Sequence, residues 1–377
     1  MRFSNRLKQR SLSAVLIGAA LGAFSPVGCA RADLVFTDLG TLGGSNSKGM
    51  GINGAGQVVG LADTSNGTTD AFLYGNGKMM DLGTLGGPFA EGSSVNASGQ
   101  VVGDSYTGGG SDTDHAFIYS GGRMTDLGTL GGSVSVAFRI NDSGQVVGRA
   151  NLPGDSTFHA FVYQAGKMTD LGTLGGDFST AIGINNAGAI VGRSSLADGF
   201  QHAYVDAGGK MTDLGTLGGT YSSAIAINGL GQIVGNSTTA DGATHAFLYS
   251  GRQMINLDTL GSTFSSASAI NDSGEIGGAY FTTNRALHAF LYSNGQMVDL
   301  NSLGIADDGF TFEYIVSINE AGQMAGYGLT ASGEEHAFLL TPTASVPEPR
   351  GLGLLGLGIF GLLATTCLRR GRASDER

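Results

Sequence analysis

The stretch TDLGTLGG at residues 37–44 decides the fold, because it returns as MDLGTLGG at residues 80–87 and keeps recurring along the chain. A fixed period of about 20 to 50 residues indicates a solenoid, a propeller or another repeat array. The aspartate of this motif, replaced once by asparagine, recurs every 43 to 45 residues: Asp38, Asp81, Asp126, Asp170, Asp213, Asn256 and Asp299. The chain therefore contains seven copies of one unit.

Two further signatures stand at similar offsets in every copy. One is an asparagine followed by a glycine-containing turn and an apolar run, read as INGAGQVVG in the first copy, with asparagines at Asn53, Asn96, Asn141, Asn185, Asn228, Asn271 and Asn319. The other is His-Ala-Phe or a near relative, in which Asp70 replaces the first histidine and the remaining histidines are His115, His159, His202, His245, His288 and His336. Every histidine of the chain thus occupies this one slot.

Together the three signatures resemble the bacterial extracellular repeat family named for its His-Ala-Phe motif, over residues 34–341. The resemblance implies a secreted or surface repeat protein. It supplies no catalytic residues that can be carried over to this chain.

Each copy reads as four short strands, since runs of aliphatic, aromatic and β-branched residues alternate with gaps that hold Gly, Asn or Asp. Four strands per copy without helical periodicity indicate a propeller blade or a coil of a β-solenoid. A solenoid needs polar caps, whereas both ends of the repeat region are apolar strands. In a ring, the N-terminal strand at 35–42 completes the sheet begun by residues 313–340 and leaves no exposed edge. We therefore predict an all-β fold, a seven-bladed β-propeller over residues 33–341 that is closed by the N-terminal strand.

The N-terminal residues 1–32 combine a basic start, an apolar run and an A-x-A site at Ala30 and Ala32. This pattern is typical of a secretory signal peptide, cut after Ala32. A short membrane anchor is the alternative. A lipoprotein signal at Cys29 is disfavoured because Pro26 stands where such motifs need an aliphatic residue.

The C-terminal end has three parts: a linker with VPEP at 342–350, an uncharged apolar segment at 351–368 and a basic tail at 369–377. The apolar segment is close to the minimum length for a transmembrane helix, and the basic tail predicts a cytoplasmic C-terminus. The three parts look like the PEP-CTERM sorting signal of Gram-negative bacteria, in which a membrane-embedded exosortase recognises the motif formed here by Pro347, Glu348 and Pro349. That resemblance implies transient anchoring before release at the cell surface, and a retained anchor is the alternative.

Charge and cysteine content limit how the repeat region can be stabilised and which partners it can bind. Both cysteines lie in the terminal segments, so the repeat region has no disulfide and depends on core packing. Residues 33–349 hold 10 basic and 29 acidic residues, a formal charge of −19. Such a surface repels nucleic acid. The sequence predicts a monomer that binds no nucleic acid.

The repeated histidines and aspartates have two interpretations. A symmetric ring of metal ligands would require side chains that converge on the axis, whereas catalytic acid and base residues need different environments rather than seven copies of one. We therefore interpret both as structural, with the imidazole bonded to a turn asparagine or to the aspartate of an adjoining strand. Loops such as 63–70 and 111–114 have calcium-like composition without the spacing of a calcium loop. We predict no catalytic residue, no metal ligand and no cofactor, with calcium as an open alternative.

Function in a repeat scaffold is expected where the copies differ. The last copy departs most, and its candidate binding residues are Asp307, Asp308, Phe310, Glu313, Tyr314 and Glu334. One hypothesis is a noncatalytic surface or matrix protein that binds extracellular polysaccharide or another surface component. The alternative is a propeller hydrolase or lyase that acts on extracellular glycans or peptides with acidic residues of the last copy.

Overall fold

The computed structural model describes residues 34–108, 113–258, 260–306 and 309–343, which belong to one compact unit, Asp33–Thr343. The signal peptide, the VPEP linker, the apolar segment at 351–368 and the basic tail lie outside the described residues. No helix within the described ranges combines the length and the apolarity that a membrane crossing needs.

These ranges contain 28 strands and one 3₁₀ helix. The strands of the N-terminal half are β1 (Leu34–Asp38), β2 (Gly43–Ile52), β3 (Val58–Thr64), β4 (Thr69–Gly75), β5 (Lys78–Gly83), β6 (Ala90–Val95), β7 (Val101–Tyr106), β8 (Asp114–Ser120), β9 (Arg123–Asp126), β10 (Ser135–Ile140), β11 (Val146–Asn151), β12 (Phe158–Gln164) and β13 (Lys167–Asp170).

The C-terminal half continues with β14 (Gly175–Ile184), β15 (Ile190–Leu196), β16 (Gln201–Asp206), β17 (Met211–Asp213), β18 (Gly218–Ile227), β19 (Ile233–Thr239), β20 (Thr244–Ser250), β21 (Gln253–Asn256), β22 (Ser265–Ile270), β23 (Ile276–Phe281), β24 (Leu287–Ser293), β25 (Gln296–Asp299), the 3₁₀ helix (Leu300–Leu303), β26 (Thr311–Ile318), β27 (Met324–Leu329) and β28 (Glu335–Pro342).

The strands form antiparallel groups of four, as the sequence predicts. Six groups run in chain order from β2–β5 to β22–β25, and the last has the order β26-β27-β28-β1. The groups β14–β17 and β18–β21 share one eight-stranded sheet through a single parallel pair, Gln201 with Tyr221. The other sheets of the described residues are separate, so the strands do not form one continuous closed sheet.

The N-terminal strand pairs with the last strand of the chain, as expected. In this pairing Leu34 lies opposite Pro342, and Asp38 lies opposite Phe338. The strand is shorter than the expected range, and Val35 is 51% exposed because it points away from the core. The apolar contact between the N-terminal segment and the core is made instead by the buried Leu39 and by half-buried neighbours.

The core lies between the groups, since each group packs apolar side chains on both faces. Val101 and Val102 are both fully buried, as expected for strands that are apolar at consecutive positions. The aromatic residue of each His-Ala-Phe motif is also fully buried. A repeated glycine makes room for it: a Cβ on Gly60 would lie 1.8 Å from the Lys48 carbonyl oxygen and 2.8 Å from the Phe72 ring. Glycine at this slot therefore allows the close packing of the first and second strands.

The turn asparagines connect neighbouring groups. Asn53 accepts from two backbone N–H groups of its own turn and donates its Nδ2 to the carbonyl oxygen of Asn96 at 3.1 Å. The same donation continues from each asparagine to the next, and Asn319 donates to the carbonyl oxygen of Asn53 at 3.0 Å. The glycines of these turns have φ between 73° and 81°, the positive values that the sequence predicts: Gly56, Gly99, Gly144, Gly188, Gly231, Gly274 and Gly322.

A serine in the first strand of a group forms a second type of joint between neighbouring groups. The Ser47 hydroxyl accepts from the Ala337 N–H at 2.9 Å and donates to the Gly40 carbonyl at 2.6 Å. Equivalent pairs of bonds are made by Ser135, Ser179 and Ser222. The joint between the last and first groups is therefore chemically the same as joints inside the chain.

Candidate functional site

The repeated histidines pair with aspartates. Each Nδ1 lies 2.7 to 2.9 Å from a carboxylate oxygen of the adjoining fourth strand or of the turn after it: His115 with Asp126, His159 with Asp170, His202 with Asp213, His245 with Asp258, His288 with Asp299, and His336 with Asp38. The partner is thus the aspartate and not the turn asparagine. Asp126 also accepts from the N–H of Gly128 at 2.7 Å, which fixes the turn that leads to the next group. The geometry uses these side chains to hold strands and turns together.

No group of three or more His, Cys, Asp or Glu residues in the described ranges is placed to hold a metal ion. Asp70, which stands in the histidine slot of the first repeat, is buried, and burial raises the pKa of its carboxyl group. The loop at 111–114 lies partly outside the described residues.

The candidate residues of the last repeat separate into two sets. Tyr314 stacks on Tyr327, which lines a pocket that is described below, and Glu313 feels the charge of Glu335, another residue of that pocket. Phe310 packs in an aromatic cluster, with its ring centroid 4.8 Å from that of Phe36 and 5.3 Å from that of Phe312, so it belongs to the core and not to a binding surface. Glu334 lies in an exposed turn, where it accepts from the Ser332 hydroxyl at 3.1 Å. Asp307 and Asp308 lie outside the described residues.

The first strands line the inner side of the unit, because each contacts the first strands of the two adjacent groups, and β26 contacts β2. Between the first and second strands of each group, one pair of cross-strand neighbours has different side chains from repeat to repeat. We call these fourteen residues the inner rim: Lys48 with Leu61, Glu91 with Asp104, Val136 with Arg149, Thr180 with Arg193, Ser223 with Asn236, Ser266 with Ala279, and Tyr314 with Tyr327.

The sequence contained a signal for the inner rim that the search for the most divergent copy missed. The second member of each pair directly follows the repeated glycine of the second strand, as in VVGD at Asp104 and VVGR at Arg149. The strand around it repeats closely, whereas this residue is apolar, acidic, basic, polar or aromatic. Variation at one slot of an otherwise repeated strand is typical of a position that does not hold the fold.

A pocket of about 520 Å³ opens where the last group meets the first two groups. Lys48 projects into it, with Nζ 3.0 Å from a Glu335 carboxylate oxygen and 4.8 Å from the centroid of the Tyr327 ring. Tyr327 stacks on Tyr314, with centroids 5.8 Å apart and planes 14° apart. Glu91 lines the other side. The pocket thus presents a flat aromatic face beside charged groups, an arrangement suited to a polar ligand that has an apolar face.

Repeat 2 contributes the acidic part of the inner rim. Glu91 lies opposite Asp104 on the sheet, and Asp114 is the diagonal neighbour of Asp104 on the next strand. Burial, together with the charges of Asp114 and Glu91, raises the pKa of Asp104 to about 9. Burial also raises the pKa values of Glu91 and Asp114. Asp104 therefore keeps its proton at neutral pH.

Repeats 3 and 4 contribute the basic part. The Arg149 guanidinium lies over the Phe158 ring at 5.0 Å, and Arg193 donates from Nη1 to the Tyr221 hydroxyl oxygen at 3.0 Å. Burial lowers the pKa of Arg149, and the nearby charge of Arg193 lowers it further. Arg139, also on the inner side, donates to the Ser93 carbonyl at 3.1 Å and so links repeats 3 and 2.

No protein-family model matches the chain, and no curated protein matches it. The structure of YCF48 bound to D1 peptide is similar over 85% of this chain and 98% of that chain, at 11% identity and a TM-score of 0.51. A structure from an analysis of two prolyl endopeptidases matches 80% of this chain and 51% of that chain, at 12% identity and a TM-score of 0.51. A fungal lectin from Aleuria aurantia, described as a six-bladed β-propeller, matches 71% of this chain and 94% of that chain, at 15% identity and a TM-score of 0.38. The all-β architecture and the similarity to YCF48 identify the fold as a β-propeller.

Proposed function

We propose that the chain is an exported, noncatalytic, seven-bladed β-propeller that binds extracellular polysaccharide or another surface component through its inner rim. The observation that carries the proposal is the inner rim itself. The joints of the scaffold repeat with the same residues, whereas the rim offers a different side chain in each repeat. Charged and aromatic side chains on a rigid scaffold can recognise a polar ligand without performing chemistry on it.

The blade number and ring closure are part of this proposal. Two bonds that join the last group to the first support it, Asn319 to Asn53 and the Ala337 N–H to Ser47. A third bond, His336 to Asp38, holds the N-terminal strand within the last group. Each has counterparts between or within groups inside the chain. Equivalent joints on all sides are what a ring of seven blades requires.

Export and sorting are proposed from the terminal sequences. Residues 1–32 direct secretion, and an exosortase-type enzyme recognises Pro347, Glu348 and Pro349 while the apolar segment at 351–368 anchors the chain transiently. The mature monomer then resides at the surface of a Gram-negative cell or outside it. Fractionation of the native host, with antibodies against the repeat region, tests this localisation. A chain found only in the cytoplasm would contradict it.

Glycan arrays probed with the full chain test binding. We expect Tyr327→Ala to lose binding, because the flat face of the pocket is removed, and Leu230→Ala to retain it. Leu230 is 70% exposed in a turn that contributes nothing to the rim, so it controls for loss of surface apolar area. Equal binding by both variants would exclude the pocket as the site.

A hydrolase or lyase is the second candidate, favoured by the protonated state of Asp104. A carboxylic acid that keeps its proton near neutral pH has the state that a general acid needs. Release of new reducing ends from polysaccharide by the wild type, abolished in Asp104→Asn, would establish catalysis and overturn the noncatalytic assignment. We expect no release by either.

A further inference from the structure

The basic residues of the described ranges are unevenly placed. Of the ten Lys and Arg residues between 34 and 343, six lie in loops, in turns or at the first residue of a strand: Lys78, Arg123, Lys167, Lys210, Arg252 and Arg285. The other four are inside strands, and all belong to the first or second strand of a group: Lys48, Arg139, Arg149 and Arg193. In a chain of formal charge −11, strand positions for these cations need an explanation.

Arg149 and Arg193 are neighbours of like charge, and their donors are not all used. Arg193 donates from Nη1 to Tyr221, but its Nε is buried and has no hydrogen-bond partner. Thr180 lies directly opposite Arg193 on the sheet. Its side chain is buried, with 3% of the residue exposed, and its Oγ1 also has no partner. Two buried polar atoms without hydrogen-bond partners, the Arg193 Nε donor and the Thr180 hydroxyl, therefore lie on directly opposed residues, an arrangement that costs folding free energy.

The local charge is also unbalanced. The carboxylates that act on Arg149 are Asp104 and Asp114. These two share a hydrogen bond, and burial holds the proton of Asp104 at neutral pH. The acidic pair therefore carries at most about one negative charge, against two guanidinium charges. An anion at this place would supply both the missing charge and the missing acceptors.

We propose that Arg149 and Arg193, with Thr180, hold the carboxylate of an acidic sugar, a uronic acid residue of an extracellular polysaccharide. The planar edge of a guanidinium that carries Nε matches the two oxygens of a carboxylate, which makes such pairs short and directional. The Thr180 hydroxyl supplies a further donor to the same group. Tyr221 and Phe158, which contact the two arginines, supply apolar surface for the sugar ring. This inference rests on the proposed function and specifies its ligand class.

Calorimetric titration of the full chain with three oligosaccharides of equal length tests the site: oligoglucuronate, neutral oligoglucose and a sulfated oligoglucose. We expect oligoglucuronate to bind best, and Arg149→Gln and Arg193→Gln each to lower its affinity about tenfold or more, the usual effect of losing a charge-assisted hydrogen bond. Lys210→Gln, which removes an equal charge from an exposed turn, should leave the affinity unchanged. Affinity for the neutral sugar should be the same in all variants.

Thr180→Val preserves shape and removes only the hydroxyl, so it tests the site if an arginine variant fails to fold. A lowered affinity for oligoglucuronate in this variant supports the site. Equal affinity of the wild type for all three sugars, or a preference that survives Arg193→Gln, overturns the carboxylate site and leaves the proposed function in place. A preference for the sulfated sugar that is lost in the variants assigns the site to sulfate esters and overturns the uronate assignment. Failure to bind any glycan overturns the proposed binding of polysaccharide together with this inference.

Discussion

Leu39→Ala tests whether the two ends of the chain are held as firmly as the interior. Leu39 follows the N-terminal strand, is 7% exposed, and packs with Phe72 of the first group and Ala337 of the last. Leu127 occupies the equivalent slot at an internal joint and is also 7% exposed. In a closed ring both residues belong to one cooperative unit, so both substitutions should cost about 2 to 5 kcal/mol of the free energy of unfolding.

An open array makes a different prediction for the same pair. Its terminal strand opens locally, because the stability of such arrays is a sum of local terms, and Leu39→Ala would then barely change global unfolding. Urea titration followed by circular dichroism measures the difference, with Val35→Ala as a control in the same strand. Val35 is 51% exposed, so its truncation should cost about 0.5 kcal/mol or less.

The closed ring would be refuted by a Leu39→Ala protein that unfolds at the wild-type midpoint while Leu127→Ala is strongly destabilised. Deletion of residues 33–42 extends the test. It removes the partner strand of β28 and the half-buried Leu34 and Phe36, which pack against the core of the last group. We expect this deletion to unfold or aggregate a closed propeller.

Three further predictions concern separate features. Asn319→Ala should lower the free energy of unfolding by about 1 to 3 kcal/mol and match its internal control Asn141→Ala in denaturant titration, because both lose the same buried hydrogen bonds; a much smaller effect of Asn319→Ala would contradict equivalence of the joints. The pKa of Asp104 is about 9 in the folded state, compared with an ordinary value of 3.8, so the free energy of unfolding should fall as pH rises through that interval. Asp104→Asn should flatten this part of the stability profile in urea titrations. An unchanged slope would disprove the raised pKa of Asp104. Alanines at residues 347–349 should leave the protein membrane-associated in its native host, and normal release of this variant would show that the motif is not the sorting signal.

The sequence predicted well the features that depend on the period. The four strands per repeat, the positive φ of glycines such as Gly56 and the burial of both Val101 and Val102 all follow from residues that recur at fixed spacing. Repeated residues indicate the joints between groups, because each joint must provide hydrogen bonds to the same backbone groups. The pairing of β1 with β28 followed in the same way, from the one strand that the last copy lacked.

The candidate site was harder to predict, because it depends on register between strands and not on spacing along them. Glu91, Asp104 and Asp114 belong to three strands and become neighbours only through the pairing of β6, β7 and β8. Divergence of the last copy was a misleading guide at Phe310. A register shift lies between Phe312 and Tyr314 in that strand, and the Phe310 ring fills core space beside it.

The composition of the inner rim is itself an argument for a ligand. Leu61 and Ala279 show that apolar side chains fit the slot that Arg149 and Arg193 occupy in other repeats. Burial lowers the pKa of Arg149, which means that the charged guanidinium is less favourable there than in water. Apolar residues at such slots would usually stabilise the fold as well or better. At this slot the side chains weaken folding, although the rest of the strand repeats closely. Side chains of this kind are typical of positions that serve binding. We therefore infer that the scaffold holds the rim in place, and that selectivity for a ligand resides in the rim and not in the repeated histidines or aspartates.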